Sequence, residues 1–297
     1  YKRQGKYKYL VGIDAGHSLV TGGKKTPPIL ADITDAKGNV LKKKGQIIHE
    51  YEFNKKVAYA LGDALKRCHV GVVYSGFKDN VDTPLATRAR ILNNAGVNLV
   101  VSNHFNASSN CLKFQTRVKG LLVLKTKGCS SKSVSLANKV HAELKEALQP
   151  ERDYGVVQDT EMCGFTLAIL RQTNAPAILV EYGFMDYWKE AKHMLDDAFI
   201  EKCAEATARG VCKQLGVTYI AKGVTAHTKL PKYVRIIKPV NFRSEPSWDD
   251  DVVIEELKVG TALTVLDKIL VGSTYMYKTP YGYVTANETW VEPVYEY

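Results

Sequence analysis

Four short segments carry the side chains that could do chemistry. In chain order they are VGIDAGH ending at His17, IHEYEFN with Glu50, VSNHFNA with His104 and ILVEYGF with Glu181. Two imidazoles and a carboxylate are the donor set of a hydrolytic zinc centre, which needs three protein ligands and an open position for water. The pattern therefore points to one catalytic Zn²⁺ on His17, Glu50 and His104. Glu181 remains to take and deliver a proton. Any one of these residues alone would read as structural; the order and flanking sequence of the four together carry the reading.

The immediate surroundings sharpen the assignment. At about 100° per residue, Phe53, Val57, Leu61 and Ala64 form one apolar helical stripe, and Glu50 falls on it while Glu52 points nearly opposite, towards water. A carboxylate facing a core is costly unless a cation compensates it. The competing reading is an acid that simply favours a helix N-terminus. His17 follows Gly16, whose missing side chain allows close approach. Asp14, on the other face from Ala15, reads as a supporting acid rather than a ligand. His104 follows the apolar run Leu99–Val101, and Ser102 and Asn106 are placed to orient ligands or substrate. Glu181 closes the apolar strand Ala177–Val180. Its alternative role is a buried salt bridge, with Arg171 as a partner. The lysine-bearing stretch TGGKKTPP reads either as a loop at the cleft or as a solvated connection. His49, His69, His141, His193 and His227 have no comparable setting.

These side chains need elements to bring them together. Strand signals at Leu10–Asp14, Val70–Ser75, Leu99–Ser102, Gly120–Leu124 and Ala177–Glu181 alternate with helical patterns near 50–67, 84–95, 131–148 and 189–215. Such alternation predicts an α/β fold with a mostly parallel sheet flanked by helices. In such sheets sites form beyond the carboxyl ends of strands, where His17, His104 and Glu181 all fall. Residues 218–230 read as a linker. Beyond them, short strand signals separated by Gly, Pro and Asp clusters predict a small all-β barrel over 231–297. The expected organisation is thus a catalytic domain over 1–217, the linker, and a second domain over 231–297.

Composition bounds the function. The chain has 297 residues, 45% of them hydrophobic, and a net charge of +10. No apolar run is long enough to span a bilayer. From Pro231 onward there are 7 Lys+Arg against 10 Asp+Glu, a net of −3, which leaves +13 on the rest. A basic catalytic segment suits an anionic target, although a solvated basic surface would look the same. No zinc-finger spacing or aromatic-basic RNA motif directs that charge to nucleic acid. Six cysteines without a CxxC pair predict free thiols made in a reducing compartment. The opening YKRQGKYKY lacks the apolar core of a signal peptide. The expectation is synthesis in the bacterial cytoplasm.

Taken together, the four motifs resemble those of the zinc-dependent N-acetylmuramoyl-L-alanine amidases of bacterial autolysins and phage endolysins. There a strand ends in a DAGH-type sequence, a Glu opens the next helix, SxHxNA gives the second His and PAxLVExGF the catalytic Glu. Here these are IDAGH, HEYEFN, SNHFNA and APAILVEYGF, and the match covers roughly residues 8–216. The resemblance implies a peptidoglycan hydrolase cutting the amide between N-acetylmuramic acid and L-alanine, acting on the cell wall, with Asn106 and Arg88 as expected substrate contacts. Two departures stand out: a long Lys-rich stretch from Ser18 to His49, and Asn103 where an aliphatic residue is usual. The tail resembles a bacterial SH3-like wall-binding domain through VNFRSEPS, LKVGTALTVL and YGYVTANETWVEP. Trp248, Tyr281 and Trp290 are the expected wall contacts, with Tyr275 and Tyr277 nearby; aromatic residues could equally fill a small barrel. A zinc peptidase cutting the stem peptide, a host autolysin and a wall-binding protein with an inactive hydrolase domain are the rival readings.

Overall fold

The computed structural model describes residues 7–222, 230–271 and 274–295. The chain divides into two compact units, Tyr1–Gly223 and Val224–Tyr297. Residues 223–229 of the expected linker lie outside the described residues. Residues 219–220 do not behave as a linker: Arg67 Nε donates to Ile220 O at 2.7 Å, and Tyr219 hydrogen-bonds Glu205. The first unit therefore extends past residue 217.

That unit is built from β1 (Leu10–Ala15), β2 (Ile33–Thr34), β3 (Val40–Lys42), α1 (Glu50–Arg67), β4 (Gly71–Tyr74), α2 (Leu85–Ala95), β5 (Leu99–Asn106), β6 (Leu121–Lys125), α3 (Ser131–Leu148), β7 (Asp153–Gln158), α4 (Asp159–Cys163), α5 (Ala168–Arg171), β8 (Ala177–Phe184), α6 (Trp188–Ala191) and α7 (Asp197–Leu215). Its six-stranded sheet runs β4-β1-β5-β8-β6-β7. All neighbours are parallel except β6 and β8, which are antiparallel. The sheet is apolar on both sides because helices cover both. Val11, Ile13, Val101, Ile178 and Val180 pack in one core with α1, α3 and α7. Val100, Leu122, Leu179 and residues of α2 and α5 form the other.

Several boundaries differ from the sequence expectation. Strands β5 and β8 do not stop at Ser102 and Glu181 but run on to Asn106 and Phe184, and their register pairs His104 with Glu181. Strand β7 has half-buried residues throughout and no apolar alternation, so its sequence carries no strand signal. The helix expected over 189–215 is two. Asp196 breaks it by accepting a hydrogen bond from the Ala198 N–H as the N-cap of α7. Within Ser18–His49, β2 and β3 form a hairpin whose turn is organised by Asp35, which accepts from the N–H groups of Lys37 and Asn39.

The second unit is all antiparallel: β9 (Tyr233–Ile236), β10 (Val240–Arg243), β11 (Val253–Leu257), β12 (Ala262–Thr264), β13 (Asp267–Val271), β14 (Thr274–Lys278), β15 (Tyr283–Thr285) and β16 (Val291–Val294). They form a five-stranded sheet, β11-β10-β15-β14-β13, and a three-stranded sheet, β12-β9-β16. The two sheets share a core of Val234, Ile236, Phe242, Tyr277, Val284 and Val291. Among the described residues no helix is long and apolar enough to cross a membrane.

Candidate metal centre and active site

Glu50 is the first residue of α1 and only 2% exposed. Its Oε2 lies 3.2 Å from His17 Nε2, and its Oε1 lies 2.9 Å from His104 Nδ1. The two imidazoles meet edge to face, with centroids 5.0 Å apart. One donor atom from each of the three residues falls within 4.8 Å of the others. Burial alone would raise the Glu50 carboxyl, but the charge and hydrogen bonds of His17 and His104 hold it well below the ordinary carboxylate range. Burial pushes the His17 imidazolium the other way, towards the neutral form, with only partial opposition from Glu50. An anionic carboxylate and neutral imidazole are the protonation states a metal ion requires. The donor set fits zinc.

Local sequence explains the convergence. Gly16 sits where a Cβ would lie 2.0 Å from His104 Cε1, so the two imidazoles approach only because position 16 has no side chain. His17 itself adopts φ 66°, a region costly for a non-glycine residue. The surrounding structure enforces it. Arg88 Nη2 donates to His17 O at 2.7 Å and Nη1 donates to Ala15 O. Sequence reasoning missed Asn54, whose Nδ2 donates both to Glu50 Oε1 at 3.0 Å and to Gly16 O at 3.1 Å. Its signal was present: position 54 lies one turn after Glu50 on the same stripe. The Phe105 N–H also donates to Glu50 Oε1, at 3.1 Å. Glu52 is not simply solvent-facing as its phase implies; it accepts from the His49 N–H and pairs with Lys42.

Arg88 is not a substrate contact. It is fully buried, pairing with Asp14 at 3.0 Å and donating to Thr83 O at 2.9 Å. Asp14 also accepts from Ser75 Oγ at 2.5 Å and Ser102 Oγ at 2.7 Å. Burial would raise its carboxyl, and Arg88 with the two hydroxyls brings it below the usual value. The unexpected Asn103 belongs to the same framework. Its Nδ2 donates to Asp14 O at 2.8 Å and its Oδ1 accepts from Tyr182 at 2.9 Å.

Glu181 stands beside His104 in the sheet, and paired residues of adjacent strands face the same side. Its Oε2 is buried without a hydrogen-bond partner among the described residues. Burial, then the charge of Glu50, raises its carboxyl well above the ordinary value. Arg171 does not pair with it; that guanidinium donates to Thr166 Oγ1. Asn106, half-buried two residues past His104, uses its Oδ1 to accept from the Ala107 N–H.

In the second unit Trp248 and Trp290 are 39% and 41% exposed and line one cavity of about 350 Å³ with Arg243 and Pro239. Trp248 also lines a neighbouring cavity of about 630 Å³ with Tyr275 and Lys268. Tyr281 is 84% exposed in the turn between β14 and β15 and lines neither. Tyr277 is core.

Comparison with known proteins places this geometry in context. Residues 11–213 match the sequence profile of the family described as N-acetylmuramoyl-L-alanine amidase. The endolysin of Bacillus phage SPP1 is 28% identical over 292 residues, covering 95% of this chain and 97% of that protein. Among solved structures, an N-acetylmuramoyl-L-alanine amidase from Clostridium difficile 630 superposes with a TM-score of 0.56 at 24% identity, covering 71% of this chain and 98% of that one. The catalytic domain of CwlV from Bacillus (Paenibacillus) polymyxa var. colistinus gives 0.54 at 24%, covering 71% and 99%. At these identities the superpositions establish the fold of the first unit.

The contact between Gly16 and His104 yields a direct test. Gly16→Ala is expected to displace the His104 ring and weaken zinc affinity by about 10–100-fold, the range seen when groups that orient metal ligands are lost. Competition against a chromophoric chelator measures it; wild-type affinity in the variant would show that the ring has another place to go.

Proposed function

The chain belongs to the N-acetylmuramoyl-L-alanine amidase family, and from that membership we propose an endolysin-type peptidoglycan amidase with zinc on His17, Glu50 and His104 and a proton-transferring Glu181. The observation that carries the reading is the buried His17–Glu50–His104 cluster with Glu181 beside it in register. When bound, zinc supplies a Lewis acid that polarises the scissile carbonyl and acidifies water. The protein's own residues do the rest. Asn54 and the Phe105 N–H hold Glu50 Oε1, which also meets His104 Nδ1, while Oε2 faces His17 Nε2. Glu181, whose carboxyl is raised by burial and by the charge of Glu50, takes the proton of the attacking water and returns it to the departing alanine nitrogen. Asn106 is proposed to bind the substrate through its amide nitrogen.

The second unit is proposed as an SH3-like wall-binding module. Its support is the aromatic lining of the two cavities by Trp248, Trp290 and Tyr275, with Arg243 stacked over Trp248. Tyr281 is the exposed aromatic at the tip of the following turn.

The central experiment is lysis of purified walls with and without chelator, with product analysis. New N-terminal alanine and free muramoyl groups are expected, and chelation is expected to stop their release; a different new amine would assign a stem peptidase. Glu181→Gln should lower turnover by about 10²–10⁴-fold while zinc stays bound, as loss of a general base does. Near-wild-type turnover would remove Glu181 from the mechanism. Glu50→Gln should lose zinc on dialysis where Glu52→Gln keeps it, and the reverse pattern would refute the ligand assignment.

The two units should also separate functionally. A fragment ending at residue 222, which retains the packed Tyr219 and Ile220, should keep hydrolysis but bind walls in a salt-sensitive, unselective way, since its charge is screened over about 8 Å at physiological ionic strength. The fragment from residue 231 should sediment with walls with little salt dependence. Failure of that fragment to bind any wall would make the second unit a structural element.

A further inference from the structure

The smaller cavity of the second unit holds two opposite charges that do not meet. Phe242 of β10 and Leu257 of β11 belong to the core. Alternation along the strands therefore puts Asn241, Arg243 and Glu256, the cross-strand partner of Asn241, on the opposite face. All three line the cavity of about 350 Å³ together with Trp248 and Trp290. Trp248 Nε1 donates to Val271 O at 2.9 Å, which fixes that wall in place. Arg243 lies diagonal to Glu256 across the pair of strands, a relation that separates side chains by about 7–8 Å. Its buried guanidinium faces Trp248 at 5.9 Å, donates through Nη1 to Asp249 O and reaches Asp250 only at 3.8 Å. Those contacts leave most of its five N–H donors uncommitted. The Glu256 carboxylate is exposed, and among the described residues it forms no hydrogen bond or ion pair.

A purely anionic ligand is opposed here by Glu256 and a purely cationic one by Arg243, since like charges set side by side are costly. A ligand that carries both charges on a short carbon chain is opposed by neither. We infer that this cavity binds an α-amino-acid head group, its ammonium on Glu256, its carboxylate on Arg243 and its carbon chain against the indoles. This rests on the wall-binding reading of the second unit. Both ends make charge-assisted hydrogen bonds, yet the head has no net charge, which agrees with attachment that depends little on salt. In peptidoglycan such a head is the side-chain end of diaminopimelate at the third stem position. It is free only where the stem is not cross-linked, because a cross-link acylates that amine. The second unit thereby selects un-cross-linked stems.

The test titrates three synthetic stem tripeptides ending in diaminopimelate into the full chain and follows binding by calorimetry. In one the side-chain head is free, in one its carboxylate is amidated, and in one its amine is acetylated. The free head is expected to bind about 10–100-fold more tightly than either capped form, the range of a hydrogen bond to a charged group. Glu256→Gln, at an exposed position, should lose most of the penalty for acetylation and keep that for amidation. A penalty that is merely steric survives that replacement. Equal affinities for the three peptides, or an unchanged acetylation penalty in Glu256→Gln, would overturn the inference. Sedimentation with whole walls at high salt separates this inference from the reading beneath it. The double variant Trp248→Ala, Trp290→Ala is expected to stay in solution. If it sediments like wild type, the wall-binding reading of the cavities falls, and the titration still decides what the cavity binds. If it stays in solution while the three peptides bind alike, only the amino-acid inference falls.

Discussion

The catalytic unit is organised around one unfavourable act, the burial of the Glu50 carboxylate where α1 meets the ends of β1 and β5. A lone carboxylate there would cost several kcal/mol or take up a proton. It stays charged because two imidazoles, a carboxamide and a backbone N–H converge on it. Each of these has its own requirement. The imidazoles need Gly16 to approach one another, Asn54 needs the first turn of α1 to begin at residue 50, and the Phe105 N–H needs β5 to continue past Ser102. The placement of a single helix terminus thus fixes the ends of two strands.

Behind the site, a second buried charge does the positioning. Asp14, Arg88, Ser75 and Ser102 tie β1, α2, β4 and β5 together on the face that also carries His104 and Glu181. Arg88 reaches through this layer to the carbonyls of Ala15 and His17. The backbone that carries His17 is in this way tied to the buried interior of the sheet rather than to the loops that surround it.

Much of this was legible in the sequence, and the failures have physical causes. The apolar runs of β1, β5 and β8 and the stripe of α1 identified the layers because burial dictates them directly. His17, Glu50 and His104 were readable because their motifs sit beside those runs. Strand β7 was invisible, since an edge strand with half-buried residues has no burial signal. The continuation of β5 was missed because Asn103, His104 and Asn106 are polar, and that of β8 because Glu181 and Gly183 interrupt the apolar run. Arg88 was misjudged for a related reason: a buried arginine and a substrate-binding arginine look alike until the partner Asp14 is placed 74 positions away. In the second unit, composition alone could not separate Tyr277, which fills the core, from Trp248 and Tyr281, which face outward.

The bonding of Arg88 bears on how this chain could change over evolutionary time. A buried ion pair can often be exchanged for two well-packed apolar residues without loss of stability. Here that exchange is blocked, because the guanidinium also satisfies the carbonyls of Thr83, Ala15 and His17. Removing the pair would strand three backbone acceptors, and each buried unsatisfied group costs about 1–3 kcal/mol. A second change at position 14 therefore cannot rescue a first at position 88. The lineage is held at that arginine by its main chain, and drift at the two positions is not free to compensate.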